Sequence, residues 1–468
     1  MTTRTRVAGA LAMALAVSFP VAAQPTPTPA PAPGAGEKPA AAEPAESAPA
    51  PTPQPTPGPV EPTGLVPLDV PLFGSSSSPV TSGTAFNPAI SVIPDLVYSR
   101  DGVGGGAAAL LEDADGFHGP RHDGAHAHGV LDEGFALRET EIAFTASVDP
   151  YFDVAALFSA SEDGFEAEEV WARTRRLPAG LAVKAGKLLS GFGYANAHHP
   201  HKWDFVDASL AQTLLLGERG LNEKGLQVTW LPKLPFYLQV GVELLQGENG
   251  GIASYEGPVE LSPGVSLRRK AGPRLFTGFA KLSPDLGFDA ALQLGASYAR
   301  STLHQELHDE DGDGAADRAL QGTVDLYGLD AVLKLDSPRP NGAGDLVLQA
   351  EYLLREKRLD SAGGGAGSRS RQDGLYAQAI YGFAPRWQAG LRWDAAGLSN
   401  SLREEGETRA FGTSKRWTAA LTFSPSEFSR LRAQYERGDV PVSGTRETYD
   451  RLVLQLQLSV GAHGAHAF

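Results

Sequence analysis

The chain contains no cysteine. Disulfides and thiolate metal sites are therefore excluded, and any metal it takes must be held by nitrogen or oxygen. It also lacks a positive charge excess: the formal net charge is -15 at pH 7, which argues against a nucleic-acid partner. After the N-terminal stretch, no window offers the ~18 uninterrupted apolar residues of a membrane helix. There is no Gly-x-Ser-x-Gly nucleophile elbow, so acyl-transfer catalysis has no local support, and no catalytic residues and no enzymatic activity are expected.

What the chain does carry is a rhythm of two residues. In the run Arg451 to Val460, Leu452, Leu454, Leu456, Leu458 and Val460 share one face, and Val453, Gln455, Gln457 and Ser459 share the other. The pattern recurs at Phe236 to Leu244, Trp387 to Asp394 and Arg430 to Glu436. Sixteen such runs can be read between residues 87 and 460. Their connections alternate between tight, often proline-marked turns, such as Asp149 to Tyr151, Leu231 to Pro235 and Ala384 to Pro385, and longer polar loops. Short periplasmic turns alternating with external loops are the signature of an all-β fold, a transmembrane antiparallel β-barrel of about 16 strands. Trp230, Phe236, Phe383, Trp387, Phe423 and Phe428 sit beside the tight turns, where an aromatic girdle belongs.

Three segments follow from composition. Residues 1–23 read as a signal peptide, with Arg4 and Arg6 before an apolar core and Val21, Ala22 and Ala23 at the cleavage site. Residues 24–85 are a Pro/Ala/Ser-rich periplasmic linker expected to be disordered, and residues 86–468 form the outer-membrane barrel. The terminal Phe468 is the expected assembly signal, with the outer-membrane assembly machinery as its partner. Outer-membrane lipid surrounds the barrel, peptidoglycan or TonB are candidate partners of the linker, and the oligomeric state stays open.

A charge on the lipid face near mid-bilayer costs about 2 to 4 kcal/mol, so the polar faces belong inside. Glu243, Glu351, Arg392, Asp394, Arg430, Arg432 and Glu436 are the expected pore-lining residues, of mixed sign. The segment Gly191 to Glu223 is rich in aromatics and aliphatics that suit external water poorly, so it is expected to fold inward as a constriction.

No cofactor is required by any of this, but three clusters are candidate cation sites. His118, His122, His126 and His128 crowd the first long loop and offer nitrogen donors to zinc, copper or nickel. His199, His201 and Asp204 are near enough in sequence to share a cation, with structural hydrogen bonding as the competing role. Asp309, Asp311 and Asp313, with Gly314 at the turn, are spaced as in a calcium loop, although Leu320 stands where a bidentate glutamate is usual.

The stretches Phe86 to Ser91, Leu137 to Glu141, His199 to Asp207, Glu223 to Gln227, Leu234 to Gln239 and Gly461 to Phe468 resemble a family of barrels labelled zinc-regulated TonB-dependent outer-membrane receptors, elsewhere called porin-like. The resemblance implies a bacterial outer-membrane location and a link to zinc supply. Receptors energised by TonB resemble larger barrels plugged by a separate N-terminal domain, and the residues before Phe86 do not have that length. The leading expectation is a porin-like channel for small solutes or ions linked to divalent metal acquisition. The alternatives are a TonB-dependent metal receptor and a non-transport surface or adhesion barrel.

Overall fold

The computed structural model describes residues 88–461, apart from 104–105, 118–132, 163, 218, 259, 263–264, 309–315 and 317. His118, His122, His126, His128, Asp309, Asp311, Asp313 and Phe468 lie outside the described residues, as do the signal and the whole linker.

Sixteen antiparallel strands close into one barrel. In chain order they are β1 (Ala89–Asp101), β2 (Gly134–Ser147), β3 (Phe152–Ser161), β4 (Gly164–Thr174), β5 (Leu181–Leu189), β6 (Asn222–Trp230), β7 (Tyr237–Leu245) and β8 (Leu275–Ser283). The second half holds β9 (Ala290–His308), β10 (Arg318–Leu335), β11 (Leu346–Ser361), β12 (Ser368–Ala384), β13 (Trp387–Glu404), β14 (Ser414–Ser426), β15 (Ser429–Val442) and β16 (Thr445–Leu458). Each strand pairs with its sequence neighbour, and β1 closes the ring against β16, with Asp95 opposite Gln457 and Asp101 opposite Arg451. Closure gives every strand a partner on both sides, the condition for strands to cross a bilayer.

The alternation is visible in the burial. Along β16 the side chains of Tyr449, Arg451, Val453, Gln455 and Gln457 are buried inside, while Leu454 and Leu458 are exposed outside. The outward rows align across strands, as where Leu226 faces Leu244 and Leu244 faces Phe276. Val242, Leu294, Leu329 and Leu391 extend the same apolar belt. Near the tight turns, Trp387 stacks on Phe423 with ring centroids 4.5 Å apart and lies 6.3 Å from Phe383, as a girdle requires. No described helix is long and apolar enough to cross a membrane. A closed barrel wearing an apolar belt around a polar interior is an outer-membrane protein.

Two features depart from the sequence expectation. Strands β9 to β13 are longer than the apolar alternation indicates, because pairing continues past the belt between polar residues, as from Lys357 opposite Ser370 to Leu359 opposite Ser368. Backbone hydrogen bonds do not require an apolar face. The charges scattered on both faces of β4 are explained by a register shift against β3: Glu169 lies opposite Leu157 and Ala167 opposite Phe158, so the chain gains a residue at Glu168 and the faces exchange there. The receptor half of the resemblance gains no support from a ring of sixteen strands whose lumen is crossed by the segment between β5 and β6.

Candidate functional site

After Leu189 the chain turns into the barrel and does not reach the wall again until Asn222. Its two ends are stapled together: the Ser190 amide donates to the Leu221 carbonyl at 2.8 Å, and Asn196 accepts from the Leu221 amide at 2.7 Å while donating to the Ser190 carbonyl at 3.0 Å. Between the staples the segment meets inward groups of strands all round the ring, β2, β4, β7, β11 and β16 among them.

The entry is held by carboxylates. Glu243 of β7 accepts the Gly191 amide at 2.9 Å, and Glu351 of β11 accepts the Tyr194 amide at 3.0 Å. Gly193 sits at φ +65°, a conformation that favours glycine, and a Cβ there would lie 2.0 Å from the Glu351 carboxylate and displace it from the Tyr194 amide. Farther on, Arg430 and Gln457 donate to the His201 carbonyl, and Arg432 donates to the Trp203 carbonyl at 3.0 Å. Asp204 accepts from Gln378 of β12 at 3.0 Å.

The tightest anchor is Asp207. It accepts from Arg392 at 2.9 Å and Gln434 at 2.8 Å, pairs with Arg416, and lies 3.4 Å from Arg451. Asp394 joins Arg392 and Arg416 from the wall at 3.1 Å each, and Glu436 takes Arg451 at 2.8 Å. All of these side chains are buried. Charges without water require this degree of pairing. The arginines hold the Asp207 carboxyl well below the usual carboxylate range, although burial alone would raise it.

Helix α1 (Gly106–Glu112) lies in the first loop; helix α2 (Leu210–Leu216) follows Asp207. Ser209 caps α2 by accepting the Gln212 amide at 3.2 Å, and Arg355 donates to the Leu215 carbonyl at 2.9 Å at its far end. Leu210, Ala211, Leu215 and Leu216 are buried, with Ala211 and Leu215 packed over Gly374 of β12.

Past the β1–β16 closure, the two histidines meet β2 and β4. His199 Nε2 is 2.8 Å from Glu169, and its Nδ1 is 3.3 Å from Glu168 and 3.6 Å from Glu141. His201 Nδ1 is 3.0 Å from Glu141. Burial alone would lower both imidazoles. At His199 the hydrogen bonds of Glu168 and Glu169 and the charge of Glu141 overcome burial and hold it well above its ordinary value, whereas at His201 burial wins and the value is lowered.

The inward fold of the Gly191 to Glu223 loop is thus as expected, and Glu243, Glu351, Arg392, Asp394, Arg430, Arg432 and Glu436 all face the interior. Six of them bind the internal segment directly, and Glu436 does so through Arg451 and Gln434. His199 and His201 come together, but Asp204 goes to Gln378 and glutamates of β2 and β4 take its place. Sequence reasoning missed Asp207, Arg416, Arg451, Glu141 and Glu168. The parity that put Gln455 inside also puts Arg451 inside, and was the available signal.

One pH dependence follows. A carboxyl whose folded value is depressed contributes stability above its unfolded value, lost as pH falls through the folded one. Docking by Asp207 should therefore be unchanged from neutral pH down to its ordinary 3.8 and be lost only in stronger acid. Limited proteolysis of the detergent-solubilised barrel by pepsin across pH 5 to about 2 checks this, with cleavage within 195–216 as the readout.

No family model matches the chain. A protein of Aquifex aeolicus described as uncharacterised is 37% identical over 396 residues, spanning 83% of this chain and 81% of that protein. In fold, the chain is similar to the outer membrane channel DcaP of Acinetobacter baumannii, at a TM-score of 0.46 and 12% identity over 80% of this chain and 96% of that one. It is also similar to an anion-selective porin from Comamonas acidovorans, at a TM-score of 0.46 and 9% identity over 80% of this chain and 99% of that one.

Proposed function

We propose that this chain, which belongs to one family with the uncharacterised Aquifex aeolicus protein, is a porin-like outer-membrane channel whose width is set by the internal segment between β5 and β6. The observation that carries the reading is the crossing of a polar lumen by a segment fixed at both walls, through Glu243 of β7 on one side and the Asp207 arginines of β13, β14 and β16 on the other. A barrel of sixteen strands is wide enough to leave an aqueous passage. A segment laid across it narrows that passage, and small polar solutes and ions diffuse through the width that remains. The reading is tested by reconstituting the protein into planar lipid bilayers. Discrete, long-lived conductance steps in simple salt are expected; a folded, membrane-inserted barrel that gives none would overturn it.

A further inference from the structure

The channel reading leaves one cluster unused. Where His199 enters the wall, it faces Glu141 of β2 and Glu168 and Glu169 of β4, with Glu139 nearby. The roles of the three nearest carboxylates differ. Glu169 holds Nε2 of the imidazole at 2.8 Å, which fixes the ring and leaves Nδ1 turned toward Glu141 and Glu168. A carboxylate on one ring nitrogen and an oxygen donor pair at the other is the arrangement that orients a histidine for a metal ion.

We propose that Glu141, Glu168 and His199 bind a divalent first-row transition-metal ion inside the barrel. The three donor atoms already lie within 4.8 Å of one another. Modest side-chain rotations bring such a set to the ~2.0–2.2 Å of zinc–nitrogen and zinc–oxygen bonds. His201 stands beside them with Nδ1 3.0 Å from Glu141, its ring stacked 5.9 Å from that of His199, as a further nitrogen donor. Imidazole with carboxylates selects zinc, manganese, iron or cobalt over the all-oxygen sites of calcium and magnesium.

The barrel wall supplies an entry path. Strand β4 pairs with β5 only from Val170 to Arg173, so its edge from Gly164 to Glu169 is not laddered to β5. Side chains cross this seam instead: Lys187 donates to the Ala167 carbonyl and Asn222 to the Glu168 carbonyl. A cavity at the seam is lined by Glu139, Glu166, Glu168, His198, His199 and Arg219, and leads to the proposed ligands. At its mouth Glu166 is paired with Arg219 and Lys187, which leaves Glu139 and Glu168 as its carboxylates toward His199, and the bulge in β4 is what brings Glu168 beside Glu169.

The proposal does not depend on the channel reading, since binding is measured on detergent-solubilised protein without a bilayer. The parent is the full chain with His118, His122, His126 and His128 replaced by Ala, so that the first loop contributes no signal. After chelator dialysis, zinc calorimetry should give one equivalent bound. Glu168→Gln should weaken binding about tenfold or more, whereas Glu166→Gln, which removes the same charge at the cavity mouth, should change it about twofold or less. Cobalt added to the parent should give visible bands of nitrogen and oxygen ligation, a readout independent of any ligand variant. Absence of both zinc binding and the cobalt bands in a parent that retains its heat-modifiable folded form would overturn the proposal, and so would equal affinities for Glu168→Gln and Glu166→Gln.

Discussion

Replacing Asp207 by Ala should release the internal segment and raise the single-channel conductance several-fold. Asp207 is the one acidic group of the segment that meets Arg392, Arg416 and Arg451 together. Removing one partner of a buried ion pair costs about 3 to 5 kcal/mol, because it leaves charge without compensation. Here the lower end applies, since Asp394 and Glu436 still satisfy part of the three guanidiniums. That is enough to loosen the segment here, because what remains of this anchor is held by its backbone alone: the Val206 amide on Gln434, the Leu210 amide on Asp394, and the Asp207 and Ala208 carbonyls on Arg392 and Arg416. Asp204→Ala is the matched control. It removes one charge-assisted hydrogen bond, from Gln378, worth about 1.5 to 3 kcal/mol, and should leave conductance closer to that of the natural chain than to that of Asp207→Ala. Bilayer recordings of the two variants, with trypsin cleavage at Lys202 as a check on release, decide the point. Equal conductance for Asp207→Ala and Asp204→Ala would show that the latch lies elsewhere.

The contrast between these two aspartates marks how far the sequence could be read. Both stand in the same short run, both are acidic, and nothing local separates them. Parity says which side of the wall a strand residue takes, so the amino-acid order alone places Arg392, Arg432 and Glu436 inside. It does not say what lies across the lumen. Asp207 and Arg451 are 3.4 Å apart in space but separated along the chain by all the strands from β6 to β15, and only closure of the ring by β1 on β16 brings them together. The same limit explains the histidines. His199 and His201 were recognisable as donors, but their carboxylates come from β2 and β4, and β4 hides its contribution behind a bulge that interrupts the two-residue phase. The strand count was legible because each of the sixteen runs carries its own apolar face. The strand ends in β9 to β13 were not, because they continue where that face stops.

The belt itself sets the last expectation. Leu329 points outward from β10, opposite Ala296 of β9 and Tyr352 of β11, six positions from the tight-turn end at Leu335, and is 61% exposed. A strand crosses the bilayer in ~9–11 residues, so this position is near the middle of the hydrocarbon. Leu329→Arg should destabilise the barrel by about 2 to 4 kcal/mol when folding into lipid vesicles is measured against urea. Leu398, also outward and 53% exposed, lies eleven positions above Trp387 at the start of β13. That height reaches the outer interface, where the same arginine costs about 0 to 1 kcal/mol. In a water-soluble sheet both substitutions would replace an exposed leucine by a charge, and each would change stability by less than about 0.5 kcal/mol. The difference between the two positions, rather than either value alone, therefore reports the solvent: a depth-dependent cost requires hydrocarbon around Leu329, and equal costs would remove the membrane from the account of this fold.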